Sequence, residues 1–108
     1  MKAQKTFAAL NDELQFDLSE GFSEDLLLQI VGAGTLTVAL EVTLDGGVTW
    51  TAARIRDLAT GTDAASTAAN GTFRPTDPIT PATKARARCS AFTSGNKTVY
   101  VASARAAA

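Results

Sequence analysis

The sequence predicts an all-β protein: a single-domain antiparallel β-sandwich, jelly-roll-like, of about eight short strands. Three observations carry that prediction. Apolar residues alternate with a period of two, clusters of turn residues separate the runs, and no stretch of a dozen residues shows a helical period. The 108 residues form one domain, 1–108, and a chain of that size buries roughly two-thirds of the surface its unfolded form exposes.

Taken in order, Lys5 to Leu10 is the first candidate strand. In the second, Leu14, Phe16 and Leu18 alternate with Glu13, Gln15 and Asp17. Leu26 to Val31 is the third. In the fourth, Leu36, Val38, Leu40, Val42 and Leu44 alternate with Thr35, Thr37, Ala39, Glu41 and Thr43. Those five apolar residues are expected to point inward together, with Trp50 packed beside them. Thr49 to Leu58 and Gly71 to Arg74 follow as further candidates. Next, Ala85, Ala87, Cys89 and Ala91 alternate with Lys84, Arg86, Arg88 and Ser90, and Thr98-Val99-Tyr100-Val101 has the β-branched and aromatic make-up of a last strand.

The punctuation lies between these runs, at Asn11-Asp12, Gly32-Ala33-Gly34, Asp45-Gly46-Gly47, Asn70-Gly71 and Ser94-Gly95-Asn96. Its spacing suits hairpins. Residues 59–82 are rich in Ala and Thr and carry Pro75, Pro78 and Pro81. Proline cannot donate to a ladder, so this segment is expected to be a long loop with extended pieces. Residues 1–12 are expected to serve as an attachment arm. The arm and the loop are the expected reach-out elements.

The formal net charge is −1, which does not favour nucleic acid as a partner. Its distribution is uneven: residues 1–50 hold two basic and eight acidic side chains, and residues 51–108 hold eight and three. Such a split serves charge pairing within one fold or contact between copies. Lys84, Arg86 and Arg88 form a basic stripe along one strand and, with Arg74, make up the candidate interface with an acidic protein partner. On that reading, replacing Arg86 and Arg88 by alanine weakens attachment and leaves the fold intact. The lone cysteine, Cys89, allows no intrachain disulfide. No signal-peptide pattern or membrane-spanning apolar run is visible, so the product is expected to be soluble and made in a cytoplasm.

Candidate chemistry is sparse. The chain has no histidine, and with it goes the usual general base and the commonest metal ligand. Cys89 lies among alanines, where a buried, inert thiol is expected. Val31-Gly32-Ala33-Gly34 lacks the third glycine of a dinucleotide-binding loop. The carboxylate pairs Glu24-Asp25 and Glu41 with Asp45 have nothing to place them across a sugar. No catalytic residue, cofactor or metal is expected.

The octapeptide TLDGGVTW, residues 43–50, resembles the Asp-box S/T-x-D-x-G-x-T-W of sialidases and other carbohydrate-active propellers. The matching positions are Thr43, Asp45, Gly47, Thr49 and Trp50. In those enzymes the motif lies away from the catalytic site, so the resemblance implies a structural hairpin made by Asp45, Gly46, Gly47, Thr49 and Trp50. Physical reasoning agrees: the glycines accept positive φ, and an Asp side chain can bond the backbone that follows it.

A wider resemblance runs through "GTLTVALEVTLDGGVTW", "ANGTFRP" and "KARARCSAFTSGNKTVYVAS". In order and spacing these pieces resemble small structural proteins of tailed bacteriophages. There, a strand ending in S-x-D-G-G-x-T-W precedes an N-G-x-[YF]-R turn and strand and then an R-x-R-x-S-A-[YF]-T-S-G hairpin. Asn70, Gly71, Phe73 and Arg74 match the second piece, and Arg86, Arg88 and Ser90 to Gly95 match the third. The match covers roughly residues 34–103. It departs where the relatives often carry valine and this chain has Ala85, Ala87 and Cys89. The resemblance implies a non-enzymatic virion component: a head decoration protein, or a head-fibre or tail-associated β-module. The favoured expectation is a decoration protein that stabilises the capsid in many copies, with the phage capsid or another virion protein as partner and homo-oligomers formed by the chain itself. The alternative is a carbohydrate- or receptor-binding module of a tail or head fibre.

Overall fold

The computed structural model describes residues 2–17, 26–76, 79, 82 and 84–103. Leu18, Glu24-Asp25, Pro78 and Pro81 lie outside them. Two antiparallel sheets pack face to face, and no helix occurs among the described residues.

Among the described residues there are eleven strands rather than about eight: β1 (Lys2–Phe7), β2 (Glu13–Asp17), β3 (Leu27–Val31), β4 (Thr35–Thr43), β5 (Thr51–Ala53), β6 (Ile55–Asp57), β7 (Asp63–Ala64), β8 (Ser66–Thr67), β9 (Gly71–Pro75), β10 (Lys84–Ser94) and β11 (Lys97–Ala102). One sheet has the order β1-β11-β3-β9-β6-β7. The other has the order β2-β10-β4-β5, with β8 also pairing β4. The excess has two sources. The run from Thr49 to Leu58 is cut at Arg54, where the chain leaves one sheet for the other. The segment 59–82, expected as a long loop with extended pieces, contains the short strands β7 and β8 ahead of β9, which covers the expected run from Gly71 to Arg74.

Most of the turns are corners rather than hairpins. Among the described residues, β4–β5 and β6–β7 are the consecutive strands that pair with each other. Gly32-Ala33-Gly34 and Ser94-Gly95-Asn96 each carry the chain from one sheet to the other. These two corners pack together, with Gly34 N–H donating to Asn96 O at 3.0 Å. A Cβ on Gly34 would stand 2.5 Å from the Asn96 nitrogen, closer than any side chain tolerates. The glycine is there for close approach of two backbones.

The alternation sets the core. Inward residues Leu36, Val38 and Leu40 of β4, Leu28 and Ile30 of β3, and Val99 and Val101 of β11 are buried. Ala85, Ala87 and Cys89 of the central strand β10 are fully buried in the same cluster as Phe7, Phe16 and Phe73. Small residues on that strand leave room for the rings. Of the expected inward row, Val42 is half-buried and packs against this cluster, and Leu44 falls outside it, past the strand end and 74% exposed.

The expected arm is also corrected. Lys2–Phe7 is the edge strand β1, in register with β11 from Lys2↔Ala102 to Phe7↔Lys97. Phe7 is fully buried. Asp12 then closes the corner into β2, its carboxylate accepting the N–H groups of Ala8 at 2.7 Å and Ala9 at 3.0 Å. Lys2 and Lys5 put charge on this open edge, which discourages strand addition.

Candidate functional site

The β4–β5 hairpin is held by one carboxylate. Asp45 Oδ1 accepts the Thr43 hydroxyl at 2.7 Å, Thr49 N–H at 2.9 Å and Val48 N–H at 3.1 Å. Thr43 Oγ1 in turn accepts Gly47 N–H at 3.1 Å. Gly46 and Gly47 have φ of 77° and 106°, the left-handed region that only glycine enters without strain. The hydrogen bonds, led by that from Thr49 N–H, pull the Asp45 carboxyl down to about 2. These bonds stabilise the ionised form in place although the group is open to solvent.

Trp50 does not join the core as expected. It is half-buried on the outer face of the five-stranded sheet, and its Nε1–H donates to Gly47 O at 3.0 Å. The Arg86 guanidinium carbon lies 4.2 Å from the ring centroid, a cation–π contact. At the hairpin tip, Leu44 and Val48 are the most exposed large apolar side chains, at 74% and 85%.

Arg86 and Arg88, expected to face a partner, instead hold the fold together. Glu41 Oε1 accepts from Arg86 Nε at 2.7 Å and from Arg88 Nε at 3.0 Å, and its Oε2 accepts from Arg88 Nη2 at 3.2 Å. Arg86 Nη1 also donates to Glu13 Oε2 at 2.7 Å, and Arg88 Nη1 to Asn11 Oδ1 at 3.0 Å. Three strands, β2, β10 and β4, are thereby laced across one face. Burial raises the Glu41 carboxyl, but the hydrogen bonds from Arg88 and Arg86 and their charges outweigh it, and the net shift is downward. The acidic first half and basic second half therefore meet inside one chain. Alanine at both arginines would disturb the fold, so attachment cannot be isolated that way.

Of the other candidate interface residues, Lys84 is half-buried on β10 between Asp17 and Thr43. Arg74 is exposed on the outer face of the opposite sheet, in register with Arg56. Lys84 shares the outer face of β10 with Arg86 and Arg88, whereas Arg74 is on the other sheet and is not brought together with them. Cys89 is buried, its thiol pushed up by desolvation, and its Sγ lies 3.4 Å from Ala91 O. Among the described residues, no three His, Cys, Asp or Glu side chains converge as metal ligands.

One surface was not singled out from the sequence, although the alternation contains it. The outer face of the six-stranded sheet carries Gln4, Tyr100, Gln29 and Thr72 in one row, because Gln4 pairs Tyr100, Tyr100 pairs Gln29 and Gln29 pairs Thr72. Beside that row lie Leu27 and Ala102 on one flank, and Thr6, Thr98 and Val31 on the other. None of these is charged. Their polar–apolar mixture does not stand out as a motif in one dimension.

No family model matches the chain, and no curated protein matches it in sequence. A solved structure with this fold is the crystal structure of the SPBc2 prophage-derived protein YomS. It aligns with a TM-score of 0.67, covering 94% of this chain and 93% of that one, at 15% sequence identity. At that identity the likeness is one of fold.

Proposed function

We propose that this chain is a non-enzymatic structural protein of a bacteriophage particle, a head decoration protein that binds the assembled shell in many copies. The observation that carries the reading is the sharing of the whole fold, end to end, with a prophage-derived protein. The ordered run of motifs from residue 34 to 103 supports it independently. So does the use made of the reactive groups. Glu13, Glu41, Arg86 and Arg88 are bonded to one another, Asp45 to its own hairpin, and Cys89 is buried. Groups committed to structural bonds are poorly placed to act on a substrate.

The test is co-sedimentation of the purified protein with particles that lack it, at low and high salt, with copies per particle counted by densitometry. Saturable binding to heads at many copies per particle is expected. Each repeated contact then buries about 1,000 Å² or more. Absence of binding to heads or tails in every condition, with tight binding to a host glycan, would replace this reading by the receptor-binding one.

A further inference from the structure

The two outer faces of the sandwich differ in kind. On the five-stranded sheet, Glu13, Glu41, Arg86 and Arg88 neutralise one another and Trp50 is covered by a guanidinium. On the six-stranded sheet, the edge strand β1 and its neighbours β11, β3 and β9 present mainly Gln, Thr, Tyr, Leu and Val. The nearest outward charges are Lys2 at one corner and Arg74 at the far side. Of the exposed large apolar side chains carried by strands, Leu27, Val31 and Tyr100 belong to this face, and Phe92 alone belongs to the other sheet. Leu58, also exposed, donates its N–H to Thr72 O at the end of the central row. A mixed polar and apolar patch with an exposed aromatic ring and few charges has the make-up of a protein contact.

We infer that this face associates with the same face of a second copy of the chain. Charge and shape point to that occupant. Lys2 and Arg74 are charges at the margins of the face, so two copies meet through an uncharged centre with little like-charge repulsion, and the amide and hydroxyl groups of Gln4, Gln29, Thr72 and Tyr100 can both donate and accept across a two-fold axis. The Tyr100 side chain stands as a ridge between two shallow hollows of about 200 and 280 Å³, one bounded by Lys2, Gln4 and Ala102 and the other by Leu27, Gln29 and Thr72. Ridge and hollow side by side make the face complementary to itself. Four strands spaced about 4.8 Å apart and five residues rising about 3.3 Å each span roughly 19 by 17 Å. With side-chain relief, a pair of copies removes about 800 Å² from water, the size of a weak, transient contact. A contact of that size is expected to form a weak, reversible dimer. The charged edge at Lys2 and Lys5 favours pairing of faces over pairing of edges.

The experiment is sedimentation equilibrium of the whole purified chain, without any particle, over a wide concentration range. Wild type is expected to dimerise. Gln29→Arg and Gln29→Glu, each placing like charges opposite one another, should weaken the dimer by at least about tenfold. An equimolar mixture of the two variants should restore it. Ala52→Arg, on the outer face of the other sheet, should dimerise as wild type does, and thermal melts verify that each variant is folded. Wild type that stays monomeric up to about 1 mM overturns the inference. Folded Gln29 variants that self-associate undiminished also overturn it, as does failure of the mixture to recover. The outcome is separable from particle binding: a monomer that still decorates heads defeats this inference and spares the proposed function.

Discussion

Replacing Glu41 by alanine takes away the carboxylate that two guanidinium groups share. Its side chain is 12% exposed, and those of Arg86 and Arg88 are 18% and 25% exposed, so the cluster is intermediate between surface and interior. A fully exposed pair contributes up to about 1 kcal/mol, and removal of one partner from a buried pair costs about 3–5 kcal/mol. Both arginines keep a second contact, Arg86 with Glu13 and Trp50 and Arg88 with Asn11, which lowers the penalty. The expected loss is therefore about 2 kcal/mol, read as a fall of about 10 °C in Tm for a domain of this size. Glu13→Ala, which removes the Arg86 ion pair and a hydrogen bond from Gln15 at a more exposed site, should cost only about 0.5–1 kcal/mol. Urea denaturation of both variants measures the difference. The pH dependence has a definite sign. The folded Glu41 carboxyl lies below its ordinary 4.5, so its contribution is complete above that value and is lost as pH falls through the folded value. A Glu41→Ala protein within about 0.5 kcal/mol of wild type, or no less stable than Glu13→Ala, would refute the reasoning.

Two further outcomes check the fold and the hairpin. Phe7→Ala should destabilise by about 3–5 kcal/mol, since the ring is fully buried although its strand is at a sheet edge; a detached arm would tolerate the change, so an unaltered denaturation midpoint would restore the arm. The Asp45 carboxyl is held at about 2 against an ordinary 3.8, so the hairpin's contribution should persist above pH 3.8 and fade as pH drops toward 2. Comparison with Asp45→Ala by acid titration of Tm should show the wild-type advantage disappearing in that window and nowhere above it.

Period-two alternation, read along the chain, was sufficient for the all-β class and for most inward residues. Whether a side chain lies above or below a pleated strand is a local property, and Leu36, Val38, Leu40, Ala85, Ala87 and Cys89 follow it. The Asp45 hairpin was legible for the same reason: its bonds run between residues no more than four apart. What the neighbours of each strand would be is not local. Gly32-Ala33-Gly34 reverses the chain equally well as a hairpin or as a corner, and only packing of that turn against Asn96 decides for the corner. The arginine stripe reads as an open basic surface until Glu41, 45 positions earlier than Arg86, is brought beneath it. The uncharged face is likewise assembled from Gln4, Tyr100, Gln29 and Thr72, which acquire a common surface only when four distant strands take up their register. Composition and period determine which residues are buried; long-range pairing determines which of the remaining ones meet, and so which face is left to bind.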